Sequence, residues 1–181
     1  PLLHPRLPYD PVRDLVPLTM LFRATFALWV GEASRFGSLA ALLDEARRAP
    51  GRVSYASLGH GHASHVAIES MARAADVQLL HVPFKDAGAL LAAVVSAQVD
   101  FTAFSLNTVA GLVAGGRLRA LAVAAKERIA PLPQVPTLAQ AGGPAIEMRP
   151  WAALVTRAGT PAAERMPASW PACVGRIGTP E

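Results

Sequence analysis

The residues of this chain best suited to chemistry fall in Gly59-His60-Gly61-His62-Ala63-Ser64, between a short strand-like run and the start of a helical pattern. Glycines let successive backbone N–H groups come close to a ligand, and a helix N-terminus adds partial positive charge. An anion is the species such a loop would hold. Ser64, close to the helix start, can add its hydroxyl. Any strand-to-helix turn, however, uses Gly and a capping hydroxyl whether or not a ligand is present. His60, His62 and His65 lie two or three residues apart and can converge on a cation. No thiolate or carboxylate accompanies them in the loop, so exposed loop histidines and no bound metal are the expectation. Glu69 follows His65 at i+4 and shares its helix face, where a hydrogen bond is expected; the second His of the helical metalloprotease pattern is missing.

Two more loops belong with the first. Phe84-Lys85-Asp86-Ala87-Gly88 follows one strand pattern, and Ser105-Leu106-Asn107-Thr108 follows another. Loops that follow parallel strands share the carboxyl edge of the sheet, where open α/β sheets bind their ligands. Lys85 can supply a charge to a carboxylate. The candidate ligand-binding residues are therefore Gly59, His60, Gly61, His62, Ala63, Ser64, Lys85, Asp86 and Ser105. No G-x-S-x-G elbow, Cys–His pair or close carboxylate pair is present, so no catalytic residue and no cofactor are expected. The glycines at Gly59 and Gly61 lack the third Gly and the later acidic residue of a dinucleotide fingerprint.

The elements that must position these loops alternate in period. Ser38 can cap a helix whose Leu39, Leu42, Leu43 and Ala46 share one face, ended by Pro50-Gly51. Val53 to Ser57 reads as a strand. The helix opened by the Gly-rich loop is expected to turn Val66, Met71 and Ala74 to a core. Leu79 to Val82 reads as a strand, followed by a helix carrying Leu90, Leu91, Val94 and Val95. Val99 to Phe104 is a strand, Asn107 to Ala114 a helix stopped by Gly115-Gly116, and Leu118 to Ala124 a strand. This order predicts parallel βαβ units. One long strand is expected from Leu18 to Val30, a short helix at Thr137 to Ala141, and a strand near Trp151 to Val155. Met166 to Glu181 has no usable period and is expected to be disordered or only loosely attached.

Composition narrows the class. With 52% hydrophobic and 17% charged residues, the chain can bury a core and is not a disordered sequence. A lone cysteine, Cys173, excludes a disulfide framework. Pro, Gly or charge interrupts every apolar run, so no membrane insertion is expected. The net charge of +4 comes from scattered arginines rather than a basic block, which speaks against nucleic acid as a partner. The first residues, Pro1-Leu2-Leu3-His4-Pro5, lack the succession of a secretory signal and by themselves assign no compartment.

Several ordered motifs resemble one family, the tripartite tricarboxylate transporter substrate-binding proteins, or Bug-type extracytoplasmic receptors. They are Leu7-Pro8-Tyr9-Asp10-Pro11-Val12-Arg13-Asp14-Leu15, Pro50-Gly51-Arg52-Val53-Ser54-Tyr55-Ala56-Ser57 with its Gly-rich loop and His65 to Glu69, and His81-Val82-Pro83-Phe84-Lys85. Gly116-Arg117-Leu118-Arg119-Ala120-Leu121-Ala122-Val123 and Leu132-Pro133-Gln134-Val135-Pro136-Thr137-Leu138-Ala139-Gln140-Ala141-Gly142 complete the set. The resemblance runs from about Pro1 to Pro161.

It implies an α/β, type II periplasmic-binding-protein-like fold: two lobes with parallel-type βαβ sheets, the first lobe incomplete. Residues 1–27 would belong to lobe 1 and the hinge, 28–119 to lobe 2, and 120–161 to the return into lobe 1, with 162–181 a divergent tail. The implied function is a periplasmic receptor, not an enzyme, that captures a small carboxylate through loop amides and hydroxyls and passes it to membrane permease subunits. Within that reading a truncated remnant of such a receptor is the secondary expectation, because the strand and Gly-rich loop that open family members are not found in this sequence. Asp86 stands where the family often has Gly, and Phe104 where it often has an acidic residue. The competing expectation is a small α/β metal- or histidine-dependent enzyme using His60, His62 or His65.

Overall fold

The computed structural model describes residues 7–161. The 162–181 tail, Cys173 and the first six residues lie outside them. Contacts divide the chain into one compact unit from Thr25 to Pro150 and another made of the flanking segments.

In the flanking unit, β1 (Leu15–Arg23) pairs antiparallel with β7 (Trp151–Arg157) in a two-stranded ladder. An Asp10 turn precedes it, with Oδ1 accepting from the N–H groups of Val12 and Arg13, the local bonding that makes Asp a turn residue. The single strand expected from Leu18 to Val30 is two strands. The second, β2 (Phe26–Gly31), is buried at every position and belongs to a different sheet. A continuous apolar run carries no mark of a change of sheet, because half-buried and fully buried strands are both rich in Val, Leu and Phe.

The Thr25–Pro150 unit holds a five-stranded sheet of order β4-β3-β5-β2-β6, comprising β3 (Ser54–Ser57), β4 (Leu80–Pro83), β5 (Phe101–Ser105) and β6 (Leu118–Val123) around β2. β3 is parallel to β4 and β5, while β2 is antiparallel to both β5 and β6. Four strands therefore point one way, as βαβ units require, and β2 alone is reversed, which makes the sheet mixed. Periodicity reports an element's type, not its direction.

β2 shows why the sheet is covered on both faces. Its side chains alternate between them. Phe26, Leu28 and Val30 enter one core with Leu39, Leu42, Leu43, Tyr55, Ile68 and Met71, whereas Ala27 and Trp29 enter the other with Leu90, Val94, Phe104 and Val109. Helices α1 (Leu39–Arg48) and α2 (Ala63–Ala74) supply the first layer, and α3 (Ala87–Val95) and α4 (Leu106–Ala114) the second. In α1 the expected face Leu39, Leu42, Leu43 and Ala46 is the buried one. Ser38 caps the helix by accepting from the Ala41 N–H at 3.2 Å, satisfying one of its unpaired first-turn donors.

Two local expectations are corrected. In α2 the buried residues are Ser64, Ile68, Met71 and Ala72, while Val66 is 46% exposed and Ala74 is exposed. The helix is weakly amphipathic in sequence, with alanines on several faces, so its phase was open. Thr137 to Ala141 forms a single turn rather than a helix: Thr137 bridges to Val123, and Gly142 at φ +80° redirects the chain. The segment after β6 stays with this unit, since Met148 N–H donates to the Ala124 carbonyl and Phe26 N–H to that of Met148. The contact boundaries thus lie at Ala24/Thr25 and Pro150/Trp151.

Candidate functional site

Because β3, β4 and β5 are parallel, the loops after Ser57 and Pro83 and the β5–α4 junction at Ser105 all leave the same sheet edge; the expected third loop is helix from Leu106 onward, which places Asn107 and Thr108 in α4. Each leads directly into a helix N-terminus. Gly59 at φ +101° and Gly61 at φ +81° shape the first loop. A side chain would strain either backbone conformation. His62 is the N-cap of α2, its Nδ1 accepting from the Ser64 N–H at 3.3 Å and lying 2.9 Å from the Ser64 hydroxyl. Ser64 itself is fully buried, so its hydroxyl is committed to His62. Ala63 is exposed at the first position of the helix.

Lys85 is exposed in the second loop. Asp86 caps α3, its Oδ1 accepting from the Ala89 N–H at 2.8 Å. Its charge is thereby used at the positive end of that helix. Ser105 is the N-cap of α4 but makes no side-chain bond to that helix's backbone; its hydroxyl lies 3.0 Å from that of Thr108.

The histidines do not group as the sequence suggested. His62 turns to its capping role, and His81 of β4 joins His60 and His65, with one ring nitrogen of each within 4.8 Å of the others. Residues paired across a parallel ladder share a sheet face. The register sets Tyr55 beside His81, and their rings stack with centroids 4.9 Å apart and planes 18° from parallel. Ser57, two residues after Tyr55 and on the same face, lies 2.6 Å from His81 Nε2; it also donates to the Gly59 carbonyl and accepts from the Gly59 N–H. Glu69, expected to bond to His65, instead accepts from the Tyr55 hydroxyl. Burial and this carboxylate push the Tyr55 phenol far up, leaving it a permanent donor. Burial, and then the neighbouring imidazoles of His65 and His60, hold His81 below the usual histidine range, since both disfavour the charged ring.

Sequence reasoning also missed a groove. The exposed face of α2, with Ala63, Val66, Ala67 and Ser70, together with Phe26 and Glu147 to Pro150, encloses about 250 Å³. Its charges come from Arg149 and Glu147, which pair at 3.5 Å. It sits at the carboxyl edge, because Phe26 is opposite Ser105 in the β2–β5 ladder. No linear motif announces it, since its two walls are separated by most of the unit.

The sequence profile described as "Tripartite tricarboxylate transporter family receptor" matches residues 1–165. The chain belongs to that family. It is 30% identical over 162 residues to Protein BugT of Bordetella pertussis, covering 87% of this chain and 48% of that protein. Among solved structures, an R. palustris protein with adipate aligns at a TM-score of 0.78 and 29% identity, over 88% of this chain and 53% of that one. MatC from Rhodopseudomonas palustris with bound malate aligns at 0.77 and 27%, over 87% and 53%. The chain therefore spans about half the length of these family members. The fold is that of type II periplasmic binding proteins, as the resemblance implied. Among the described residues, no helix is long and apolar enough to cross a membrane.

Proposed function

We propose that this chain carries half of the binding cradle of an extracytoplasmic receptor for a small carboxylated organic anion. The observation that carries this reading is the arrival of three strand-to-helix connections, those of Gly59 to Ser64, Lys85 to Asp86, and the β5–α4 junction at Ser105, at the sheet edge that also holds the groove at Arg149. Glycine-shaped backbone and helix N-termini favour a carboxylate there, and Lys85 and Arg149 add positive charge. Asp86 contributes its place in the loop rather than a ligand contact, because its oxygen caps α3. Adipate and malate in the two R. palustris structures set the size class of anion to try first. In this reading the receptor works in the periplasm, hands its solute to the membrane permease subunits of a tricarboxylate-type transporter, and does no chemistry on it.

Thermal denaturation with a panel of di- and tricarboxylates tests the reading. A ligand bound only by the folded chain, at a hundredfold excess over its Kd, stabilises by about 2.7 kcal/mol. The midpoint should rise with at least one acid, and the rise should shrink in Lys85→Ala and Arg149→Ala. An unmoved midpoint with every acid contradicts it.

A further inference from the structure

We propose that His60, His65 and His81 form a site for a divalent transition cation of the zinc class. The three imidazoles come from three different elements, the Gly-rich loop, α2 and β4, and each offers a nitrogen within 4.8 Å of the other two. Their rings crowd together, with centroids at 4.5 Å for His65 and His81, 4.7 Å for His60 and His81, and 5.2 Å for His60 and His65.

Zinc–nitrogen bonds of about 2.0–2.1 Å in a tetrahedron set donors about 3.4 Å apart, so the cluster must contract by no more than about 1.4 Å. His60 can supply that movement, because it is exposed and lies between Gly59 and Gly61. Two imidazoles are less free and already oriented. His81 Nε2 lies 2.6 Å from the Ser57 hydroxyl. With Nε2 held by that hydroxyl, Nδ1 is the nitrogen left for a cation, and a second hydrogen bond of this kind is the usual way a metal-binding imidazole is oriented. Tyr55 stacks beneath the same ring and is itself anchored through Glu69. The Gly61 N–H reaches His65 Nδ1 at a long 3.3 Å. A bond of that length is weak, and a cation would replace it.

Three neutral nitrogen donors without a carboxylate suit zinc, copper or nickel rather than calcium or magnesium. Three protein ligands also leave a fourth position for water or another oxygen donor. The site stands apart from the carboxylate reading, because cation uptake is measured with no organic acid present.

The test uses the whole chain without an affinity-tag polyhistidine, stripped by chelator and titrated with Zn²⁺ by calorimetry and with Co²⁺ by visible absorption. The expected result is one equivalent bound with micromolar or tighter affinity, and the intense visible bands of four-coordinate cobalt. His60→Ala and His81→Gln should each weaken uptake at least about tenfold, the scale of losing a group that orients or ligates a metal. Because His60 is exposed, its replacement leaves the fold intact, which circular dichroism verifies. His4→Gln should leave uptake unchanged. Absence of uptake, uptake undisturbed by both His60→Ala and His81→Gln, or uptake lost in His4→Gln overturns the proposal.

Discussion

Asp100 provides the sharpest test of how the sheet is held. It stands just before β5, and its carboxylate accepts from the Ser54 N–H at 2.8 Å, from the Ser54 hydroxyl at 2.9 Å and from Arg35 Nε at 3.1 Å. Ser54 begins β3, so one side chain fastens the starts of two adjacent parallel strands. In Asp100→Ala the Ser54 amide loses a charged acceptor, which costs about 1.5–3 kcal/mol. The Ser54 hydroxyl still accepts from the Asp100 backbone N–H at 3.1 Å. Its loss is therefore smaller, about 1 kcal/mol. Arg35 is 55% exposed and returns to water, contributing about 0.5 kcal/mol at most. Together these come to about 2.5–4.5 kcal/mol, or a fall of about 8–16 °C in the midpoint of a unit this size. Asp100→Asn keeps the shape and one neutral acceptor, and should cost about half as much. Circular dichroism melts of both variants decide the matter. If Asp100→Ala loses under about 3 °C, or Asn is as damaging as Ala, the clamp does not hold the strands as described.

Two further substitutions probe packing and the loop. A Cβ at Gly31 would lie 2.5 Å from the Val94 carbonyl oxygen and 2.9 Å from that of Val95. Gly31→Ala should therefore destabilise by about 2–3 kcal/mol in a denaturant titration, whereas a loss below about 0.5 kcal/mol would mean that α3 and β2 are not in close contact. Gly59→Ala has open space for its methyl but a φ of +101°. It should cost about 1–2 kcal/mol through backbone strain and weaken the carboxylate-induced rise in midpoint, both read in the same melts.

Much of the fold was legible because it is written in local patterns. α1 has a capping Ser38, four apolar residues on one face and a Pro-Gly stop, and every one of these does what its type predicts. The first two carboxyl-edge loops were legible too, marked by Gly or Asp between a strand period and a helix period, whereas the third is a direct strand-to-helix junction at Ser105. What escaped depends on pairings across long stretches of chain. His81 joins the histidine cluster only because β4 pairs with β3 in the register Tyr55 to His81. Asp100 reaches Ser54 across 46 residues, with no local signal at either. Val66 reads as a core residue until Ile68 and Met71 are seen to set the phase of α2, leaving Val66 to line the groove with Met148 and Arg149. The break between β1 and β2 escaped because both are apolar and a change of sheet needs only Ala24 and Thr25.

Carboxylate binding among the connections at this sheet edge is read by titrating the isotope-labelled chain with adipate or malate and following its backbone amides by NMR. Saturable shifts concentrated at Gly59, Gly61, Lys85 and Ser105 are the predicted result. Amides that stay unmoved there, or that move only at sites away from the carboxyl edge, would contradict it.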